Sequence, residues 1–78
     1  MAVIGSFEEL PHSAGRRHPT VVTCGWRITT VEADTLLTLD TYGSDTRKLV
    51  GKASQSIQLD RRGAEQLKQL LQRAFPGI

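Results

Sequence analysis

The sequence predicts an α+β domain in which an antiparallel four-stranded sheet is followed by one C-terminal helix packed on one face, in the order ββββα. Two patterns carry that prediction. Apolar and polar residues alternate through Thr20–Val31 and Thr35–Tyr42, the period of half-buried strands. From Ala64 onward the apolar residues recur instead at helical spacing, as Ala64, Leu67, Leu70, Leu71, Ala74 and Phe75. With 78 residues and no internal repeat, low-complexity tract or Gly/Ser linker, one small domain covers 1–78.

The elements follow in order. Ala2–Phe7 reads as a short first strand, and Glu8–Pro19, with Pro11, Gly15 and Pro19 among polar residues, reads as a loop. In the next strand Val22, Cys24, Trp26 and Ile28 share one face, and Thr23, Gly25, Arg27 and Thr29 share the other. Leu37 and Leu39 form the apolar face of its partner. Opposing Ile28 to Leu39 brings these faces together and leaves Glu32–Thr35 as a four-residue loop closed by Val31 and Leu36. That register sets Arg27 against Asp40 and Thr29 against Thr38.

Gly43-Ser44-Asp45 reads as a turn, and Gly51 as a bulge or bend on the way to the last strand. That strand turns Ile57 and Leu59 inward, with Ser56 and Gln58 outward. Asp60 suits a helix N-cap, and Pro76-Gly77 stops the helix. The helix should lie across the apolar face, meeting Trp26, Ile28, Leu37, Leu39 and Ile57. The second sheet face stays uncovered, as a polar binding surface or a dimer face.

Composition excludes several classes. The chain is 38% hydrophobic and 23% charged, which places it among globular chains. No apolar run approaches the roughly 18 residues that cross a bilayer. Glu8 and Glu9 interrupt the apolar start at once, so no leader is expected and a cytoplasmic location follows. The single cysteine, Cys24, makes no internal disulfide.

Charge is uneven. Residues 1–14 hold Glu8 and Glu9 without a cation, while the rest holds all ten basic residues against six acidic ones. Arg47, Lys48, Lys52, Arg61 and Arg62 fall within 47–62, opposed by Asp60. Such a stripe can bind polyanions or simply be solvated.

Catalytic and metal chemistry find little support. Gly51-Lys52 lacks the earlier glycine and the following Ser or Thr of a phosphate-binding loop, having Thr46 and Ala53 there. The separations of His12, His18 and Cys24 match no zinc-ligand pairing. Cys24 sits on an apolar strand face, where a small buried hydrophobe is expected rather than a nucleophile. No enzyme activity and no cofactor are therefore expected.

Binding residues are easier to nominate. Arg16-Arg17-His18 forms a basic loop tip that can clamp a phosphate or remain solvated. Tyr42, on the uncovered face near Arg47 and Lys48, can stack on a base. Trp26 and Phe75 are assigned to the core. Ser54-Gln55-Ser56 can bond a partner strand or a sugar-phosphate chain, or merely blunt a sheet edge.

Leu36–Leu71, with Asp-Thr-Tyr-Gly-Ser-Asp, Gly-Lys-Ala-Ser-Gln-Ser-Ile-Gln-Leu-Asp and the terminal helix, resembles a group of small uncharacterised bacterial proteins carrying that core. Its layout is also similar to positive cofactor four, the single-stranded-DNA-binding transcriptional coactivator. Ile57-Gln58-Leu59-Asp60 and Glu65-Gln66-Leu67-Lys68 carry this likeness. It implies a curved four-stranded sheet followed by a helix, a homodimer formed through the helices, and single strands held on the outer sheet. Ser54, Gln55 and Ser56 stand where that family has basic residues before Ile57. Tyr42 is the only counterpart of its strand-end aromatic.

The combined expectation is a non-enzymatic, homodimeric nucleic-acid-binding module for single-stranded DNA or RNA. Arg27, Tyr42, Arg47, Lys48 and Lys52 form its binding set. The alternative is an accessory or inhibitor subunit that docks its open sheet or edge strand onto a larger protein, using Gln55, Ser56 and Gln58.

Overall fold

The computed structural model describes residues 1–42 and 53–78. The elements are β1 (Ala2–Ile4), β2 (Cys24–Val31), β3 (Asp34–Thr41), β4 (Gln55–Leu59) and α1 (Arg61–Ala74). The architecture is α+β: one four-stranded sheet and one C-terminal helix. The expected turn at Gly43-Ser44-Asp45 and the bulge at Gly51 lie outside the described residues.

The sheet is mixed, where an antiparallel one was expected. Its order is β1-β4-β3-β2, with β1 parallel to β4 and the other two pairings antiparallel. Alternation reads the same for a strand running in either direction, so it could not reveal this. The parallel choice sends the chain out of β1 at the end of β4 where α1 begins. There the Asp60 amide donates to the Ile4 carbonyl at 3.5 Å, and the Phe7 amide donates to Gln66 Oε1 at 2.7 Å. These contacts draw residues 5–7 toward the helix and end β1 three residues sooner than expected.

The β2–β3 hairpin also corrects its register. Ile28 opposes Leu37, Trp26 opposes Leu39 and Arg27 opposes Thr38, a shift of two residues from the expected pairing. A two-residue slip keeps every side chain on its face, so the apolar pattern cannot separate the two registers. The observed one closes the turn with Glu32 and Ala33 alone, a length whose twist suits paired strands. It also pairs β2 with β3 along all eight residues of each. Glu32 takes φ 57°, the left-handed region that favours glycine.

Asp60 caps α1 as expected, accepting the Gly63 amide on Oδ1 at 2.8 Å. The helix ends at Ala74, with Phe75 as its C-cap and Pro76-Gly77 beyond. Its position differs from the expectation. α1 stands over the Leu59 end of the sheet, and Gly63 is buried against β1. A Cβ on Gly63 would run into the Ile4 carbonyl oxygen, far inside van der Waals contact. Leu59, at 2% exposure, is the one buried large apolar residue among those described.

Two substitutions test this geometry. Helix propensity alone favours Gly63→Ala by about 1 kcal/mol. The clash with main chain should outweigh it, and thermal denaturation should show a net loss of about 1–3 kcal/mol. Glu32→Gly relieves the left-handed φ and should stabilise by about 1 kcal/mol, raising Tm by roughly 4–8 °C in a domain of this size. An unchanged or higher Tm for the first, or a lower one for the second, contradicts these assignments.

Candidate interaction surface

Register defines two faces. On one, Ile28, Leu37, Leu59 and Ile4 line up across the four strands, followed by a second row of Trp26, Leu39, Ile57 and Ala2. α1 lies on this side. Ala64, Leu67 and Leu71 face Leu37 and Leu59 across an open apolar groove of about 340 Å³.

The helix covers only part of the face. Trp26 is 69% exposed and Ile28 66% exposed, while Ile57 is also exposed. Trp26 therefore does not join the core. Phe75, at 61% exposure, does not either; it is the C-cap that follows the last turn of α1. Cys24 is exposed rather than buried, since it occupies the uncovered end of the same face. Leu71, expected in the core, is exposed at the groove rim.

Widths explain the gap. Four strands at about 4.8 Å spacing make a sheet roughly 19 Å across, and one helix is about 10 Å wide. A single helix covers about two strands, and Gly63 holds α1 at the β1–β4 side. Among the described residues, α1 leaves the β3–β2 half of the apolar face open. The expectation of complete cover neglects the width of one helix against four strands, although that comparison needs only the sequence.

The opposite face is polar and largely self-satisfied. Thr38, at 5% exposure, accepts a bond from Gln58 Nε2 at 3.2 Å and shares a 3.4 Å hydroxyl contact with Thr29. Ser56 Oγ donates to Asp40 Oδ1. Arg27 lies diagonal to Asp40 rather than opposite it, and their charged groups approach to 4.0 Å. The Arg27 side chain remains 69% exposed.

The nominated binding residues divide accordingly. Arg27 is exposed on the polar face, and Tyr42 is half-buried just beyond β3. Arg47, Lys48 and Lys52 lie outside the described residues. Of the docking residues named in the alternative reading, Ser56 and Gln58 are tied into the polar network, and Gln55 is exposed. Arg16, Arg17 and His18 are all exposed. Among the described residues no three His, Cys, Asp or Glu side chains gather in a metal-binding arrangement. Among them, too, no helix is long and apolar enough to cross a membrane.

The unequal burial makes a measurable contrast. Leu59→Ala should cost about 2–5 kcal/mol in denaturant unfolding. Trp26→Ser, at an exposed position, should stay within about 0.5 kcal/mol of the parent when both are unfolded at concentrations low enough to keep separate copies apart. Equal effects would mean that the open half of the face is covered in the isolated chain. No family model, curated protein or solved structure matches the chain.

Proposed function

We propose that this chain is a non-enzymatic binding module that docks an apolar or amphipathic segment of another protein. The docking surface is the uncovered half of its sheet. The observation that supports this is the pairing of Trp26 and Ile28, two large apolar side chains side by side on a β-sheet yet both about two-thirds exposed. Burying such side chains contributes about 1.5–3 kcal/mol each, and an aromatic anchor ringed by aliphatics is a common hot-spot arrangement. The groove beside Leu67 and Leu71 continues the same surface onto α1.

A second reading is single-stranded nucleic acid held on the polar face, in the manner of positive cofactor four. Arg27 favours it as an exposed cation on a hydroxyl- and amide-rich sheet, with Tyr42 near its end. Asp40 beside Arg27 weighs against it, because a carboxylate there repels phosphate. Arg47, Lys48 and Lys52, which fall in sequence between β3 and β4, would supply the remaining charge.

Paired measurements separate the two readings. Partners captured from a native extract should be lost with Trp26→Ser/Ile28→Ser and kept with Arg27→Ser. A labelled single strand followed by fluorescence anisotropy should show no salt-dependent binding. Single-strand binding that falls steeply with salt, and that disappears on charge reversal of Arg47 and Lys48, would replace docking with the nucleic-acid reading. Capture that is unaffected by Trp26→Ser/Ile28→Ser would also overturn docking through this face.

A further inference from the structure

The open half-face ends at β2, which is an edge strand of the sheet among the described residues. An edge strand exposes a row of unpaired N–H and C=O groups, and proteins usually blunt it with proline, bulges or several charges. β2 has eight residues paired to β3 without a break, contains no proline, and carries Arg27 as its single charge. That charge is countered by Asp40 at 4.0 Å.

The hairpin fixes which groups are free. In an antiparallel pair, alternate residues bond to the neighbouring strand. Val31 and Asp34 close the two-residue turn, so Val31, Thr29, Arg27 and Gly25 direct their main chain to β3. Cys24, Trp26, Ile28 and Thr30 direct theirs outward. Trp26 and Ile28 thus have both their side chains and their main-chain groups exposed.

We infer that β2 pairs antiparallel with β2 of a second copy of this chain, about a two-fold axis at Trp26. The strand is self-complementary in the sense a two-fold interface requires, since the same outward row serves both partners. Charge excludes one register, and pairing of the two exposed Trp26 rings favours an axis at Trp26 over one at Ile28 or Thr29, which would set Trp26 against Thr30 or Glu32. Centring the axis on Arg27 would place Arg27 against its symmetry mate, a like-charge cross-strand pair. Centring it on Trp26 sets Arg27 against Gly25 of the other copy, pairs Cys24 with Ile28, and brings the two Trp26 rings together.

The consequence deepens the docking reading, and rests on it. A two-fold axis through an edge-to-edge pair leaves both helices on one side of a continuous eight-stranded sheet. The two open half-faces then join as a single apolar trough, roughly 19 Å wide, floored by Trp26, Ile28 and Leu39 from both copies and walled by the two α1 helices.

Sedimentation and cross-linking of the whole chain test the pairing. The parent should run at twice 8.6 kDa. Ile28→Lys, which adds a second charge to the edge, should run as a monomer with unchanged circular dichroism. Ile28→Cys should give a disulfide dimer through Cys24 under mild oxidation, because paired Cα atoms about 5.5 Å apart lie within bridging range.

A monomeric parent overturns the inference, and so does a dimer that Ile28→Lys leaves intact. A folded Ile28→Cys dimer that forms no disulfide to Cys24 overturns the register. The docking reading fails separately. A monomer that still captures its partner through Trp26 refutes the edge pairing alone. A cross-linked dimer whose capture ignores Trp26→Ser/Ile28→Ser refutes the docking alone.

Discussion

Helix α1 reaches its seat because Ile4, Asp60 and Gly63 meet there with no side chain between the two backbones. Three polar requirements converge at that junction: the carbonyl at the end of β1, the first amides of α1, and the carboxylate that caps them. Gly63 lets the helix backbone close on the Ile4 carbonyl, where any side chain would collide with main chain. The helix is therefore anchored by its N-terminus at the β1–β4 side. The parallel entry of β1, the early departure of residues 5–7 and the seat of Leu59 beneath α1 all follow from that anchor.

The same anchor determines what the helix cannot reach. Leu37 and Leu59 lie under its span, whereas Trp26 and Ile28 lie a strand or more beyond it. The described residues form no second helix to place over β3 and β2, and β4 passes directly into α1 through Asp60. The apolar groove between Leu67, Leu71 and the sheet belongs to the same deficit, because one helix cannot fill both flanks of its own contact. Among the described residues the core is consequently little more than Leu59 and its neighbours, far less than the alternation of β2 and β3 could bury.

Much of this was legible in the residues, for identifiable reasons. Alternation located β2 and β3, helical spacing located α1, and Asp60 with Pro76-Gly77 marked its ends, because each signal is local. The faces of Trp26, Ile28, Leu37 and Ile57 were also readable, since a strand's period assigns them without knowledge of its partner. Register was not, because Ile28 opposite Leu37 and Ile28 opposite Leu39 put the same side chains on the same faces. Turn length separates those two, through the φ of Glu32. The direction of β1 was hidden because three residues of alternation run equally well either way. Burial was the largest miss, at Trp26, Phe75 and Cys24. An apolar face states what a strand can bury, and only the placement of the covering element decides what it does bury.

Which face a ligand would use then becomes a question of unmet requirements rather than of polarity. On the polar face the Thr29, Thr38 and Gln58 groups are bonded to one another, Ser56 is bonded to Asp40, and Arg27 leans toward the same carboxylate. A ligand arriving there would have to displace bonds already made, and each exchange returns little net free energy. On the open half of the apolar face the described residues make no such side-chain bonds to displace. Removing water from Trp26 and Ile28 is favourable without a competing internal partner, and the free main chain of the same residues adds direction that apolar contact lacks. A surface that combines non-directional attraction with a directional edge in the same residues has the physical means both to select a partner and to hold it.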